Sequence, residues 1–179
     1  MKLALLPLAA ALLAYPAPAQ SGPGVAGAPQ KQPGPGFAEA RAVQDPPAPS
    51  VYDEAADAKA DVAAAVAKAK TEKKRVLVTL GANWCGWCRA LDRLFTKNKA
   101  VSAALSAGYV PVKVDVGRMT KNLDLAATWG ADPKTGVPLL VVLDGNGKAV
   151  KVQETGSLES GKHHDPQKVI AFLKANAGV

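Results

Sequence analysis

Two residues in this chain have the chemistry to do more than pack: Cys85 and Cys88, the only cysteines among 179 residues. They sit three positions apart in Gly81-Ala82-Asn83-Trp84-Cys85-Gly86-Trp87-Cys88-Arg89-Ala90-Leu91. Such a pair can staple the fold, clip a metal or exchange electrons. A staple would close a loop of only a few residues and remove little unfolded-state entropy. Zinc asks for four ligands. Adding His163 and His164 reaches that number, but adjacent histidines lack the usual spacing of about three to five residues. No metal and no cofactor are therefore expected, and the histidines read as polar residues in the loop before the last helix. A second role for them, tuning a nearby thiol, stays open.

Thiol exchange suits the position. The apolar run at 76–80 reads as a buried strand, and Leu91, Leu94 and Phe95 recur at helical spacing after Gly86. The cysteines therefore fall where a strand ends and a helix begins. The first turn of a helix carries unpaired N–H groups and partial positive charge, both of which favour a thiolate. Cys85 is expected to be the exposed nucleophile, with a lowered pKa. Cys88, one turn further in, is the more buried thiol that resolves the mixed disulfide. Arg89 adds a nearby cation that would help tune the pair. Trp84 and Trp87 flank the sulfurs and offer a flat apolar contact surface.

The elements that position this pair follow from periodicity and punctuation. Residues 53–74 are Ala-rich, with Val62 and Val66 four apart, and read as a helix. After the cysteine-bearing helix, which runs to about Lys97, a short helix at 101–107 closes at Gly108. A strand follows at 109–116, then a helix at 121–129 and an apolar strand at 139–143. Asp144-Gly145-Asn146-Gly147 signals a hairpin into a strand at 149–154. Asp165-Pro166 supplies an N-cap and a first-turn proline for the last helix. The expected class is α/β: a mixed central sheet with helices on both faces, the helix-separated early strands parallel and the last two an antiparallel hairpin. Pro138 begins the third strand, where a proline forfeits no ladder bond. Its bond to Val137 reads as an ordinary trans bond on composition alone.

The N-terminal part has a different composition. Lys2, an apolar run at 3–13 and Ala17-Pro18-Ala19 make the charged, apolar, small-residue order of a secretory leader, so 1–19 reads as a signal peptide. Its apolar core is shorter than the roughly 20 residues a membrane span needs. Residues 20–50 are rich in Pro, Gly, Ala and Gln and read as a disordered linker. Residues 51–179 remain for one domain. Export places the cysteine pair in an oxidising compartment, read here as the bacterial periplasm, with at most a peripheral relation to the membrane. Net charge is +7, but the basic residues are scattered and few aromatics lie among them, so no nucleic-acid partner is expected.

With these residues in view, the chain resembles the thioredoxin family. The resemblance rests on Trp84-Cys85-Gly86-Trp87-Cys88 after a strand, on Val137-Pro138 about 50 residues later, and on the element order. It extends over roughly 55–177. It implies a thioredoxin fold, thiol–disulfide oxidoreductase activity on protein disulfides, and a cis-proline at Pro138 packed against the cysteines, in place of the trans reading. It also implies that an extended substrate segment pairs beside Val137, with Trp84, Gly86, Trp87, Val137 and Pro138 forming the contact surface. The motif is most similar to exported thioredoxin-like domains such as the soluble C-terminal domain of DsbD-type electron transporters, where an acidic residue follows on the helix, here Asp92. A membrane dithiol donor of that type is the implied partner. Two departures stand out. The buried aspartate common six residues before the first cysteine is replaced by Thr79, and the lysine opposite it is expected to fall at Pro111. The proton acceptor for Cys88 is left to water or a group such as Asp115. Gly86-Trp87 also replaces the usual Gly-Pro, so the redox potential does not carry over. A thioredoxin-fold binding module with a locked disulfide remains the alternative.

Overall fold

The computed structural model describes residues 50–178. The expected signal peptide, and the linker up to its last residue, lie outside the described residues.

Helix α1 (Ala58–Glu72) is followed by β1 (Arg75–Gly81), α2 (Gly86–Lys97), α3 (Lys99–Gly108), β2 (Tyr109–Asp115), α4 (Leu123–Thr128), β3 (Leu139–Leu143), β4 (Ala149–Glu154), β5 (Glu159–Ser160), β6 (His163–His164) and α5 (Pro166–Ala175). Four strands form one sheet in the order β2-β1-β3-β4. β1 runs parallel to β2 and antiparallel to β3, and β3 runs antiparallel to β4. The fold is a thioredoxin-like mixed sheet with helices on both faces. The parallel arrangement expected of helix-separated strands holds for β1 and β2 only.

Local chemistry sets the boundaries. Asp57 caps α1, its carboxylate accepting from the Lys59 and Ala60 amides. The helix therefore begins five residues later than its Ala-rich composition suggested. Residues 53–56 form turns instead. Asp144 Oδ1 accepts from the Asn146 and Lys148 amides and, with Gly147 at φ 80°, shapes the hairpin between β3 and β4. Asp165 caps α5 ahead of Pro166.

β1 is central and buried almost throughout, so its alternate residues feed two cores. Val76, Val78 and Leu80 pack with Val62 and Ala69 of α1 and Ala126 of α4. Leu77 joins Leu91 and Phe95 of α2, Val101 of α3 and Leu173 of α5 on the other face. By the same alternation Thr79 and Gly81 face α2. In the parallel register Lys113 lies opposite Thr79 and Asp115 opposite Gly81. Pro111 lies opposite Leu77. The expectation that Pro111 stands across from Thr79 was thus two residues off: a lysine does occupy that place. No helix among the described residues is long and apolar enough to cross a membrane.

Candidate active site

Cys85 is the N-cap of α2, held in extended backbone at φ −78° and ψ 112°. Its Sγ accepts the Cys88 amide at 3.0 Å. A sulfur held by a free amide of the first turn gains most from that bond when it is negative. The two cysteines are joined in a disulfide with Cα atoms 5.2 Å apart. Cys88 is fully buried and Cys85 only 5% exposed. The order of accessibility follows expectation, but Cys85 is not the openly exposed residue the sequence suggested. Tyr52 packs against both cysteines, and Val51, Trp87 and Val137 pack around them.

Tyr52 is the residue the sequence reading missed. It belongs to the stretch before α1, which the side chain of Asn83 clamps in place. Asn83 Oδ1 accepts from the Val51 and Tyr52 amides at 2.8 and 2.9 Å. Its Nδ2 donates to the Tyr52 carbonyl and to Glu54 Oε1, both at 2.9 Å. Asn83 thus spends its full hydrogen-bonding capacity pinning a segment some 30 residues upstream beside the cysteines. Asn83 also receives the Arg89 guanidinium on its carbonyl. Arg89, expected to act as a pKa-tuning cation, therefore also buttresses the loop that carries Cys85.

The opposite wall comes from the turn before β3. The Val137–Pro138 peptide bond is cis, and Pro138 is buried. Thr155 Oγ1 donates to the Pro138 carbonyl at 2.9 Å and secures the turn. Cys85 Sγ lies 3.5 Å from the Val137 carbonyl oxygen. Gly136 and Val137 precede the β3 ladder, whose pairing starts at Leu139. Beside them a cavity of about 190 Å³ is lined by Trp87, Thr135, Gly136, Val137, Pro138 and residues 154–156 and 159.

The two tryptophans divide. Trp87 is partly buried against the disulfide. Trp84 is 46% exposed, its Nε1 donating to the Gly117 carbonyl at 2.7 Å with the Arg118 guanidinium over the ring at 5.8 Å. Gly86, also exposed, has open space around its α-carbon.

His163 and His164 do not form a loop. They make β6, pairing antiparallel with β5. This small hairpin buries His164, whose Nε2 lies 3.2 Å from the Trp87 carbonyl oxygen. Since a carbonyl only accepts, Nε2 is assigned the proton. The imidazole meets the Trp87 ring edge-on at 5.1 Å and 74°. Burial lowers the His164 pKa, partly offset by the bond to Trp87. A histidine whose folded pKa lies below its unfolded value near 6.5 contributes stability above that value. The contribution is lost as pH falls through the folded pKa. His164→Gln keeps an amide donor for Trp87 and removes the titration. Thermal unfolding across mildly acidic pH is expected to show a shallower loss of Tm for the variant than for the parent. Parallel curves would exclude this role.

Among the described residues, no group of three or more His, Cys, Asp or Glu is placed to hold a metal ion.

Comparison with known proteins places this geometry in context. Residues 57–145 match a family model described as thioredoxin-like. The solved disulphide isomerase from Xylella fastidiosa Temecula1 is 36% identical, with a TM-score of 0.63, over 70% of this chain and 95% of that one. The DsbD C-terminal domain of Neisseria meningitidis, solved in its oxidised form, is 22% identical with a TM-score of 0.50, over 68% of this chain and 97% of that one, a likeness of fold. No curated protein matches the chain.

Proposed function

This chain belongs to the thioredoxin-like family of thiol–disulfide oxidoreductases, and on that premise we propose that it is an exported enzyme that reduces or exchanges disulfides in other proteins through Cys85 and Cys88. The observation that carries this reading is the juxtaposition of the Cys85 sulfur, capped by the first-turn amide of α2, with the Val137 carbonyl before Pro138. A substrate strand laid along Gly136 and Val137 would find backbone groups outside the β3 ladder and bring its own disulfide over Cys85. Trp84, Gly86 and Trp87 supply the surrounding contact surface. Reduced Cys85 attacks one substrate sulfur and the other leaves as a thiolate. Cys88 then attacks Cys85, releasing the second substrate sulfur and closing the Cys85–Cys88 disulfide. Two electrons pass to the substrate, and a membrane dithiol donor of the DsbD type restores the reduced form.

The reducing or isomerising direction is supported by the disulphide isomerase at 36% identity. Export is supported by the leader-like order of residues 1–19.

Graded-pH alkylation of the reduced full chain tests the reading. One thiol, identified by mass spectrometry as Cys85, is expected to react at a rate that holds up well below the ordinary thiol pKa of about 8.5. A disulfide that resists dithiols, or two thiols that ionise like free cysteine, would instead favour a binding module.

A further inference from the structure

The residue between the cysteines is held from outside its own helix. Trp87 packs against the disulfide and also lines the cavity beside Gly136, Val137 and Pro138. A substrate segment laid along that turn therefore meets Trp87 as a wall. What fixes the wall is β6. His164 Nε2 donates to the Trp87 carbonyl at 3.2 Å, and its ring meets the indole edge-on.

An imidazole is a costly choice for this place. His164 is 4% exposed, and its Nδ1 is buried with no hydrogen-bond partner among the described residues. A leucine would fill the volume and orphan no nitrogen. What the imidazole adds is the donor to Trp87. The hairpin that presents it is anchored on α5. The Asp165 amide donates to the Leu158 carbonyl at 2.8 Å, and Lys168 Nζ donates to the Glu159 carbonyl at 2.6 Å. Glu159 pairs with His164 and lines the same cavity as Trp87, so the hairpin and the substrate turn share a boundary.

The surroundings keep the ring neutral. With the proton on Nε2, a second proton would have to enter at Nδ1, which no acceptor faces. On the α2 side, Arg93 and Lys97 line a cavity together with His163 and His164. On the α5 side, Asp165 Oδ1 is engaged by the Gln167 and Lys168 amides. Burial lowers the His164 pKa; the Trp87 carbonyl and Glu159 pull it back, and His163 adds to the lowering.

We propose that His164 is a positioning residue for disulfide exchange: through the carbonyl and ring of Trp87 it holds the indole as the fixed wall of the substrate groove. The inference rests on the oxidoreductase reading and adds a determinant of substrate affinity to it. His164 acts on how a peptide is held beside Val137, not on the reactivity of Cys85. A small disulfide that reaches Cys85 without lying along the turn does not use the wall. An imidazolium would bury a second N–H with no acceptor, so in mild acid the ring leaves its site and Trp87 is freed.

The test compares two substrates. Reduced full-length protein is mixed with increasing concentrations of a peptide disulfide free of titratable side chains, and separately of hydroxyethyl disulfide. Oxidation of the protein is followed by acid quench and mass spectrometry. His164→Leu keeps the volume and drops the donor. It is expected to need about 3- to 10-fold more peptide for half-saturation, the effect of one lost hydrogen bond. Its saturated rate and its rate with hydroxyethyl disulfide should equal the parent's. His164→Gln, whose amide can reach the same carbonyl, should restore parental half-saturation. From neutral to mildly acidic pH the parent's half-saturating concentration should rise while that of His164→Gln stays level. Parental half-saturation in His164→Leu overturns the inference. So does a loss that falls equally on hydroxyethyl disulfide, which is what a disturbed fold would give. Should His164→Leu fail to fold, superimposable pH profiles of the parent and His164→Gln overturn it on their own. A parent that exchanges with neither disulfide would overturn the oxidoreductase reading, and the inference with it.

Discussion

Cys88→Ser is expected to convert the protein from a catalyst into a trap: it should accumulate stable mixed disulfides with its substrates, while Cys85→Ser forms none and reduces a test disulfide at the background rate. The asymmetry follows from position. Cys85 caps the helix at the Val137 turn, where a substrate disulfide can reach it. Cys88 is fully buried beneath Tyr52 and Trp87 and is reachable only by the sulfur of Cys85. Serine at 88 preserves size and the backbone amide that faces Cys85, so the first exchange survives and the second cannot occur. Non-reducing gels followed by mass spectrometry would identify the trapped partners. Turnover by both variants at the parental rate would eliminate the assignment.

The largest structural effect is expected at a glycine. Gly81→Ala adds one methyl group where the Tyr52 hydroxyl already sits and where Cys88 Sγ is 3.0 Å away. Overpacking of this kind typically costs about 1–3 kcal/mol. For a domain of this size that corresponds to a fall in Tm of very roughly 2–15 °C. The least expensive relief is rotation of Tyr52 away from the cysteines, so thiol accessibility should rise as stability falls. Gly86→Ala provides the contrast, since nothing lies within 4 Å of its added Cβ. Its stability should stay within about 0.5 kcal/mol of the parent. Thermal melts of the two variants check the pair; equal melting points would mean that the Gly81 face is looser than the packing described.

Much of this architecture was written in local sequence. The cysteine pair at a strand–helix junction, the Asp144-Gly145-Asn146-Gly147 turn and the Asp165-Pro166 helix start each depend on neighbours within a few residues. They fall where the spacing put them. The rest depends on pairing over long separations. The residue across from Thr79 could be identified only once β1 and β2 were in register, and a two-residue slip separates Pro111 from Lys113. His164 is buried because a two-residue ladder folds it onto Trp87, and nothing in a His-His dipeptide announces that. Tyr52 was the least legible. Its place is set by hydrogen bonds exchanged with Asn83, a residue inside the cysteine motif whose side chain serves a segment far away in sequence. Composition also overextended α1, because alanine favours helix wherever it occurs, while Asp57 determines where this one starts.

The Asn83 clamp bears on where a usable fragment of this protein must begin. The family match starts at residue 57, which would invite trimming the chain at the first turn of α1. Such a cut would discard the phenol that roofs the sulfurs and leave the Asn83 amide facing water. The smallest piece that retains an intact reaction chamber therefore starts no later than Val51, ahead of the border that homology alone would draw.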